Sequence, residues 1–353
     1  MKGRSTAVSP GTVAVTGAAS GLGRALVERL ARSEDLDALV GIDTSGVRID
    51  GVVWRSADVR DQLLVSRLAG VTTLVHLATS CDLTAEPVGR RALNVRGTEL
   101  VLDAAQAAGV ARVVLVTSAE VYGARAGNAL PLPETAPLRG TPDESLAGDH
   151  VEIESLAQRF AARRKAPALT VLRPATLVGG PLGPSYDGAR LHLLAAPRLI
   201  AVRGTEPLWQ LCHADDLLAA LELAVRGAVS GGVAVACDGW LAQRDVELLS
   251  GRRRLELPAT VALGTAERLH RLGVSTGSPQ ELDHLTGALV VATDALRDAG
   301  WSPAWTNEAA LRAYLAARSP GEGRAGAYTA AGATVALVGT AALVRRARRR
   351  RGR

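Results

Sequence analysis

The chain has 353 residues and a mass of 36.6 kDa, with 47% apolar and 22% charged residues. That balance supplies a sizeable core and excludes disorder, a collagen-like repeat and a small disulfide scaffold. The three cysteines, Cys81, Cys212 and Cys237, are odd in number and widely spaced, so they imply neither a disulfide framework nor a zinc cluster.

The formal net charge of +6 has a local source. Lysine occurs only at Lys2 and Lys165, so 39 of the 41 basic residues are arginine. Seven arginines and no acid fall in Arg345–Arg353, which leaves residues 1–344 at −1. A nucleic-acid-binding body carries its charge on the fold as a stripe or face. This body is nearly neutral, so nucleic acid is not expected as a partner.

Met1–Gly11 is short and polar, and the apolar run that follows is too brief for a signal-peptide core. Thr12–Thr16 is β-branched and runs into Gly17, the pattern of a buried strand meeting a glycine turn. Leu22, Leu26, Val27 and Leu30 then recur at helical spacing. Further strands are predicted at Ala38–Ile42, Val52–Arg55, Thr73–Leu77, Arg112–Thr117 and Leu169–Leu172. Helices are predicted over Arg90–Ala108 and Gly148–Arg164. Short apolar strands alternating with amphipathic helices predict an α/β fold, a doubly wound parallel sheet covered on both faces.

After Pro174 the pattern loosens. Helices at Ala214–Arg226, Arg244–Leu249, Ala259–Leu272 and Asn307–Ala317 predict a small C-terminal lobe, with Ala214–Arg226 placed to pack back on the sheet. The expected division is a Rossmann-type domain over 12–178, the lobe over 179–318, and a linker and tail over 319–353. The tail holds Ala325–Val344, 20 residues without charge, followed by the arginine cluster. That length crosses a bilayer, but a composition of mainly Ala, Gly, Val and Thr gives little transfer energy. A reluctant anchor, a helix lying on an anionic membrane surface, and a solvated extension all stay open. The body is expected in the cytoplasm, free or membrane-associated through residues 325–353.

Thr16-Gly17-Ala18-Ala19-Ser20-Gly21-Leu22-Gly23 joins the first strand to the first helix, the setting a dinucleotide loop needs. Gly17, Gly21 and Gly23 allow a tight turn and close backbone approach to a pyrophosphate, and the helix start offers N–H donors. Ser20 and Leu22 lie within the same cradle. Asp43 follows Gly23 by 20 residues and ends the second strand. A carboxylate there accepts from a ribose diol and repels a 2′-phosphate, which favours NAD over NADP.

From these residues onward, over about 12–318, the chain resembles the extended short-chain dehydrogenase/reductase family, the NAD-dependent epimerase/dehydratase group. Ala57-Asp58-Val59 is similar to the family's adenine-contacting segment, and Leu74-Val75-His76-Leu77-Ala78 to its cofactor-lining fourth strand. Asn94-Val95-Arg96-Gly97-Thr98 resembles its central helix. Val116-Thr117-Ser118-Ala119-Glu120-Val121-Tyr122-Gly123 resembles the fifth strand and its catalytic-serine turn. Leu172-Arg173-Pro174 is similar to the segment beside the nicotinamide, and Trp209–Leu217 to a late motif. The resemblance implies cofactor contacts from Asp58, Val59, Leu77, Ala78, Asn94 and Arg173. It also implies a sugar-nucleotide or similar alcohol substrate, and a homodimer through the helices over 90–108 and 148–164.

Two departures stand out. Ser20 occupies a position where extended members usually carry glycine. More consequentially, family catalysis uses a tyrosine with a lysine four residues later on one helix face; the ammonium lowers the tyrosine pKa and holds the nicotinamide ribose. Aligned back from Leu172-Arg173-Pro174, Leu146 stands at the tyrosine position and His150 at the lysine position. No Tyr-x-x-x-Lys occurs anywhere in the chain. Ser118 remains to polarise a substrate oxygen, and Tyr122, His150, Asp149 or Glu152 are the candidate replacements. The two readings are therefore an NAD-binding protein with altered or lost catalysis, and an active NAD-dependent epimerase or dehydrogenase with a non-standard acid or base.

Smaller features have structural readings. Asp215 or Asp216 is expected to cap the helix after His213 rather than to bind a metal, and no metal is expected. Cys212 and Cys237 read as core, Trp301 and Trp305 as anchors of the lobe. Tyr186 and Arg190 read as an exposed loop pair.

Overall fold

The computed structural model describes residues 10–82, 85–180, 191, 194, 198–260, 283 and 285–317. Its centre is a seven-stranded, all-parallel sheet. In chain order the strands are β1 (Thr12–Thr16), β2 (Ala38–Asp43), β3 (Val52–Ser56), β4 (Thr73–His76), β5 (Arg112–Val116) and β6 (Ala168–Pro174). The seventh, Gly231–Val235, returns from the far part of the chain to pair with β6. The spatial order β3-β2-β1-β4-β5-β6 followed by Gly231–Val235 is the doubly wound arrangement, with its direction reversing between β1 and β4.

Both faces are covered, and strand alternation shows why the runs are so apolar. Val13 and Val15 enter one apolar cluster and Ala14 the opposite one; Val114 likewise opposes Val113 and Leu115. On one face lie α1 (Gly21–Leu30) and Ala214–Val225, tied together by an Arg29–Glu222 ion pair of 2.5 Å. On the other lie α2 (Leu64–Arg67), α4 (Gly97–Ala107) and α5 (Leu146–Ala161). Ala214–Val225 therefore packs back on the sheet, as its apolar stripe implies.

The helix expected over Arg90–Ala108 is in three pieces: α3 (Pro87–Arg91), a π-helical turn at Ala92–Arg96, and α4. The widened turn coincides with Asn94, whose buried amide is spoken for by partners outside the helix. A third apolar cluster, built on Val178, Trp209, Leu211, Cys237 and Leu311, forms the core of the C-terminal part. Trp301 is buried against the main core, and Trp305 stacks on His213 with ring centroids 3.7 Å apart.

The expected cap of Ala214–Val225 is corrected. His213 itself is the cap, its Nδ1 accepting from the Asp215 N–H, while the Asp216 carboxylate accepts from the Ala304 and Trp305 N–H groups. Asp216 thus fastens the C-terminal helix region instead. No helix among the described residues is long and apolar enough to cross a membrane. Tyr186, Arg190, most of Ala259–Leu272 and the whole tail lie outside the described residues.

Candidate active site

A cavity of about 640 Å³ opens at the carboxyl ends of β1, β2 and β4, where the strand order reverses. Ten of the twelve sequence-predicted cofactor residues line it: Gly17, Ser20, Gly21, Leu22 and Gly23 from the loop, Asp43 from the end of β2, Asp58 and Val59 from the segment after β3, and Leu77 and Ala78 after β4.

The loop geometry requires its glycines. Gly17 has φ +69°, and a Cβ there would lie 2.7 Å from the Leu77 carbonyl oxygen. A Cβ on Gly23 would lie 2.0 Å from the Gly17 carbonyl oxygen, so α1 can approach the strand only without a side chain. Ser20 precedes α1 in extended conformation, makes no side-chain cap, and no acid occupies the first helical turn. The N-terminal N–H groups and the positive dipole end are therefore left for an anion. One Asp43 oxygen accepts from the Ala19 N–H at 3.1 Å and the other from the Ser45 N–H at 3.2 Å. This orders the loop while the carboxylate still faces the cavity. Arg60 grips Asp58 through two bonds of 2.9 and 2.6 Å, and that guanidinium lowers the Asp58 pKa to about 2.

His76 braces the floor. Thr98 Oγ1 donates to the Asn94 carbonyl, so it accepts from His76 Nε2 at 3.1 Å. His76 Nδ1 then accepts from Thr16 Oγ1 at 2.8 Å, and Thr16 accepts in turn from Leu77 N–H. The ring is thereby assigned as the neutral Nε2–H tautomer. Burial pushes its pKa down to about 4.

Two predicted cofactor residues stand elsewhere. Arg173 is 8% exposed, off the cavity wall, with Nε and Nη2 donating to the two Glu154 oxygens at 2.8 Å and Nη1 to the Tyr122 hydroxyl. Its charge is used inside the fold because the facing helix supplies a buried carboxylate. Asn94 acts through the chain: its Oδ1 accepts from Ser80 N–H at 2.8 Å, and its Nδ2 donates to the Ser80 carbonyl and to Asp149. It holds the Thr79–Asp82 stretch of cavity wall without lining the cavity itself.

A smaller cavity of about 50 Å³ adjoins the first, and Cys81, Thr117 and His150 line both. Leu146 and His150, four residues apart on α5, both face it, together with Ser118, Glu120 and Pro174–Leu177. Ser118 Oγ accepts from the Glu120 N–H at 3.2 Å, which leaves its hydroxyl proton for another acceptor. The candidate replacements for the missing tyrosine now separate. Tyr122 is buried, donating to the Glu134 carbonyl and accepting from Arg173. Asp149 is fully buried between Arg90 and Arg91, and Glu152 is held by Arg91. His150 is different. It is 8% exposed, and its buried Nδ1 has no hydrogen-bond partner among the described residues. Burial lowers its pKa, opposed by the charges of Glu120, Asp149 and Glu154.

Cys81, Thr117 and Glu120 were not singled out from sequence as site residues; Cys81 follows the His76-Leu77-Ala78 segment closely enough to have suggested it. Cys212 and Cys237 are buried, and burial raises both thiols, Cys237 to about 12. Among the described residues no group of three His, Cys, Asp or Glu side chains is placed to hold a metal.

The family model for NAD dependent epimerases/dehydratases matches residues 13–236. The chain belongs to the NAD-dependent epimerase/dehydratase family. An uncharacterized protein of Mycobacterium tuberculosis is 28% identical over 322 residues, covering 88% of this chain and 84% of that one. Among solved structures, MoeE5 in complex with UDP-glucuronic acid and NAD superimposes with a TM-score of 0.63 at 22% identity, covering 86% of this chain and 98% of that one. UDP-glucose 4-epimerase of Thermotoga maritima, with UDP-glucose, gives a TM-score of 0.63 at 17% identity over 86% of this chain and 97% of that one. At these identities the likeness carries the fold.

Proposed function

We propose that the protein binds NAD in the large cavity and oxidises or reduces an alcohol carbon of a sugar nucleotide or similar substrate, with His150 as the proton-transferring group. The glycine cradle, the uncapped α1 terminus and Asp43 fit the pyrophosphate and adenosine ribose, and Asp43 favours NAD over NADP. When bound, the nicotinamide supplies the hydride acceptor or donor. The chain supplies the rest. Ser118 donates its hydroxyl proton to the substrate oxygen and orients it. His150, kept neutral by burial, takes up the hydroxyl proton during oxidation and returns it during reduction.

One observation carries this reading: of the four candidate replacements, only His150 lines both cavities, whereas Tyr122, Asp149 and Glu152 are held by partners inside the fold. The test is turnover of nucleotide sugars and other secondary alcohols with NAD, compared with His150→Gln. Loss of about 10²–10⁴-fold in kcat with NAD affinity retained supports the assignment; unchanged turnover contradicts it.

The second reading, NAD binding without turnover, is favoured by Leu146, a buried apolar side chain on the small cavity at the position that the sequence resemblance aligns with the family tyrosine. Absence of turnover in the wild type and its appearance in Leu146→Tyr/His150→Lys would establish that reading. A homodimer along α4 and α5 belongs to either reading, and light scattering at twice 36.6 kDa is the outcome it requires.

A further inference from the structure

Two walls meet where the cavities adjoin. One is α5, which contributes His150; the other is the Thr79–Asp82 stretch after β4, which contributes Cys81, and both residues line both cavities. The residues just before them, Asp149 and Ser80, belong to one hydrogen-bonded chain. Asp149 Oδ2 accepts from Asn94 Nδ2 at 3.1 Å. Asn94 in turn donates to the Ser80 carbonyl at 2.9 Å and accepts from the Ser80 N–H at 2.8 Å. Asp149 and Asn94 are both buried, and Asn94 stands in the π-helical turn that interrupts the helix before α4. The same carboxylate accepts from Arg90 Nε at 2.9 Å and from Arg91 Nη1 at 3.4 Å. Those arginines also donate to the Glu144 and Asp143 carbonyls at the entrance to α5. A carboxylate only accepts, so Asn94 turns its Nδ2 towards α5, and its Oδ1 is left for the Ser80 N–H. Against apolar packing, a buried ion pair adds little net stability. This one adds a fixed spacing between two walls.

We propose that Asp149 is a positioning residue: through Asn94 it holds the Ser80 segment against α5 and so sets the gap where the two cavities join. Its charge serves this strut and takes no part in proton transfer. A ligand in the large cavity meets the wall directly, because Thr79, Ser80, Cys81 and Asp82 all line it. The effect on NAD binding rests on the reading of that cavity as the nucleotide site; the order of the wall does not.

Amide hydrogen exchange of the full chain, read by mass spectrometry, tests the strut without any ligand. Asp149→Leu alone would strand Arg90, which is itself buried, so Arg90→Met/Asp149→Leu removes both buried charges together. In this variant the amides of residues 79–82 are expected to exchange about 10-fold faster than in the wild type, the effect of about one lost hydrogen bond. Those of β1 and β5 keep their protection. Asn94→Ala leaves the ion pairs in place and must speed exchange at 79–82 to the same degree. Asp149→Asn, which keeps the side-chain volume, is the alternative where the double variant does not fold; it is expected to give about 3-fold, because one amide still accepts from the other. A pair that only stabilised α5 would speed exchange in α5 and leave 79–82 as they were. Unchanged exchange at 79–82 in the folded Asp149 variant therefore overturns the strut. Calorimetry then separates the two readings: NAD affinity is expected to fall about 10-fold in the variant whose wall has loosened. A loosened wall with unaltered NAD affinity keeps the strut and contradicts nucleotide binding against this wall.

Discussion

Asp43, Gly23 and His76 each set a measurable property of the site. Asp43 accepts from Ala19 N–H and faces the cavity, so Asp43→Asn keeps the size but removes the charge. We predict NAD affinity at least 10-fold weaker and a smaller preference over NADP, read by calorimetry with both nucleotides; an unaltered ratio would remove Asp43 from specificity. Gly23→Ala forces a methyl to within 2.0 Å of a backbone oxygen, so both stability and NAD affinity must fall. His76 sets a pH dependence. Its folded pKa is near 4 against an ordinary value of 6.5, so between these pH values the unfolded chain binds the proton and the folded chain does not. Stability contributed by the neutral ring is complete above pH 6.5 and is lost as pH falls towards 4, at a limiting slope of about 1.4 kcal/mol per pH unit. Urea unfolding at pH 6.5 and 5 should show a smaller loss for His76→Asn than for the wild type; equal losses would contradict the buried neutral assignment.

Helix α5 is the element on which the proposed proton transfer and stability meet. Its outer turn carries Leu146 and His150, while Asp149 and Glu154 bind it to α3 and β6 through Arg90, Arg91 and Arg173. Glu154 is 2% exposed and receives Thr117 Oγ1 as well as the Arg173 fork. Arg173→Met leaves that carboxylate buried without its counter-charge, a loss of about 3–5 kcal/mol, and Arg173→Met/Glu154→Leu recovers much of it. A single variant within about 1 kcal/mol of wild type by urea unfolding would show that the pair does not hold α5. The glycine loop and the strands are legible in the sequence because each depends on local spacing. Arg173 and Asn94 are not, because what they do is decided by partners elsewhere: Glu154 at a separation of 19 residues, and Ser80 and Asp149 at 14 and 55. The same tertiary demand breaks the helix expected over Arg90–Ala108 at its π-helical turn.

At the scale of the molecule, the reversal of strand order between β1 and β4 opens the large cavity, the proposed nucleotide site. The return of Gly231–Val235 to β6, and of Ala214–Val225 to the face beside α1, builds the C-terminal part onto the same sheet. The small cavity sits where α5, the turn after β5 and the chain after β6 converge, and it shares Cys81, Thr117 and His150 with the large cavity proposed to hold the nucleotide. Ligand binding to such a preformed cavity stabilises the whole fold by about 2.7 kcal/mol at 100 times the dissociation constant. The most direct test is isothermal titration of the full chain with NAD, repeated with Gly23→Ala. The account predicts saturable one-to-one binding by the wild type, weaker binding of NADP, and severe loss of both in the variant. No saturable binding of either nucleotide at millimolar concentration would contradict it.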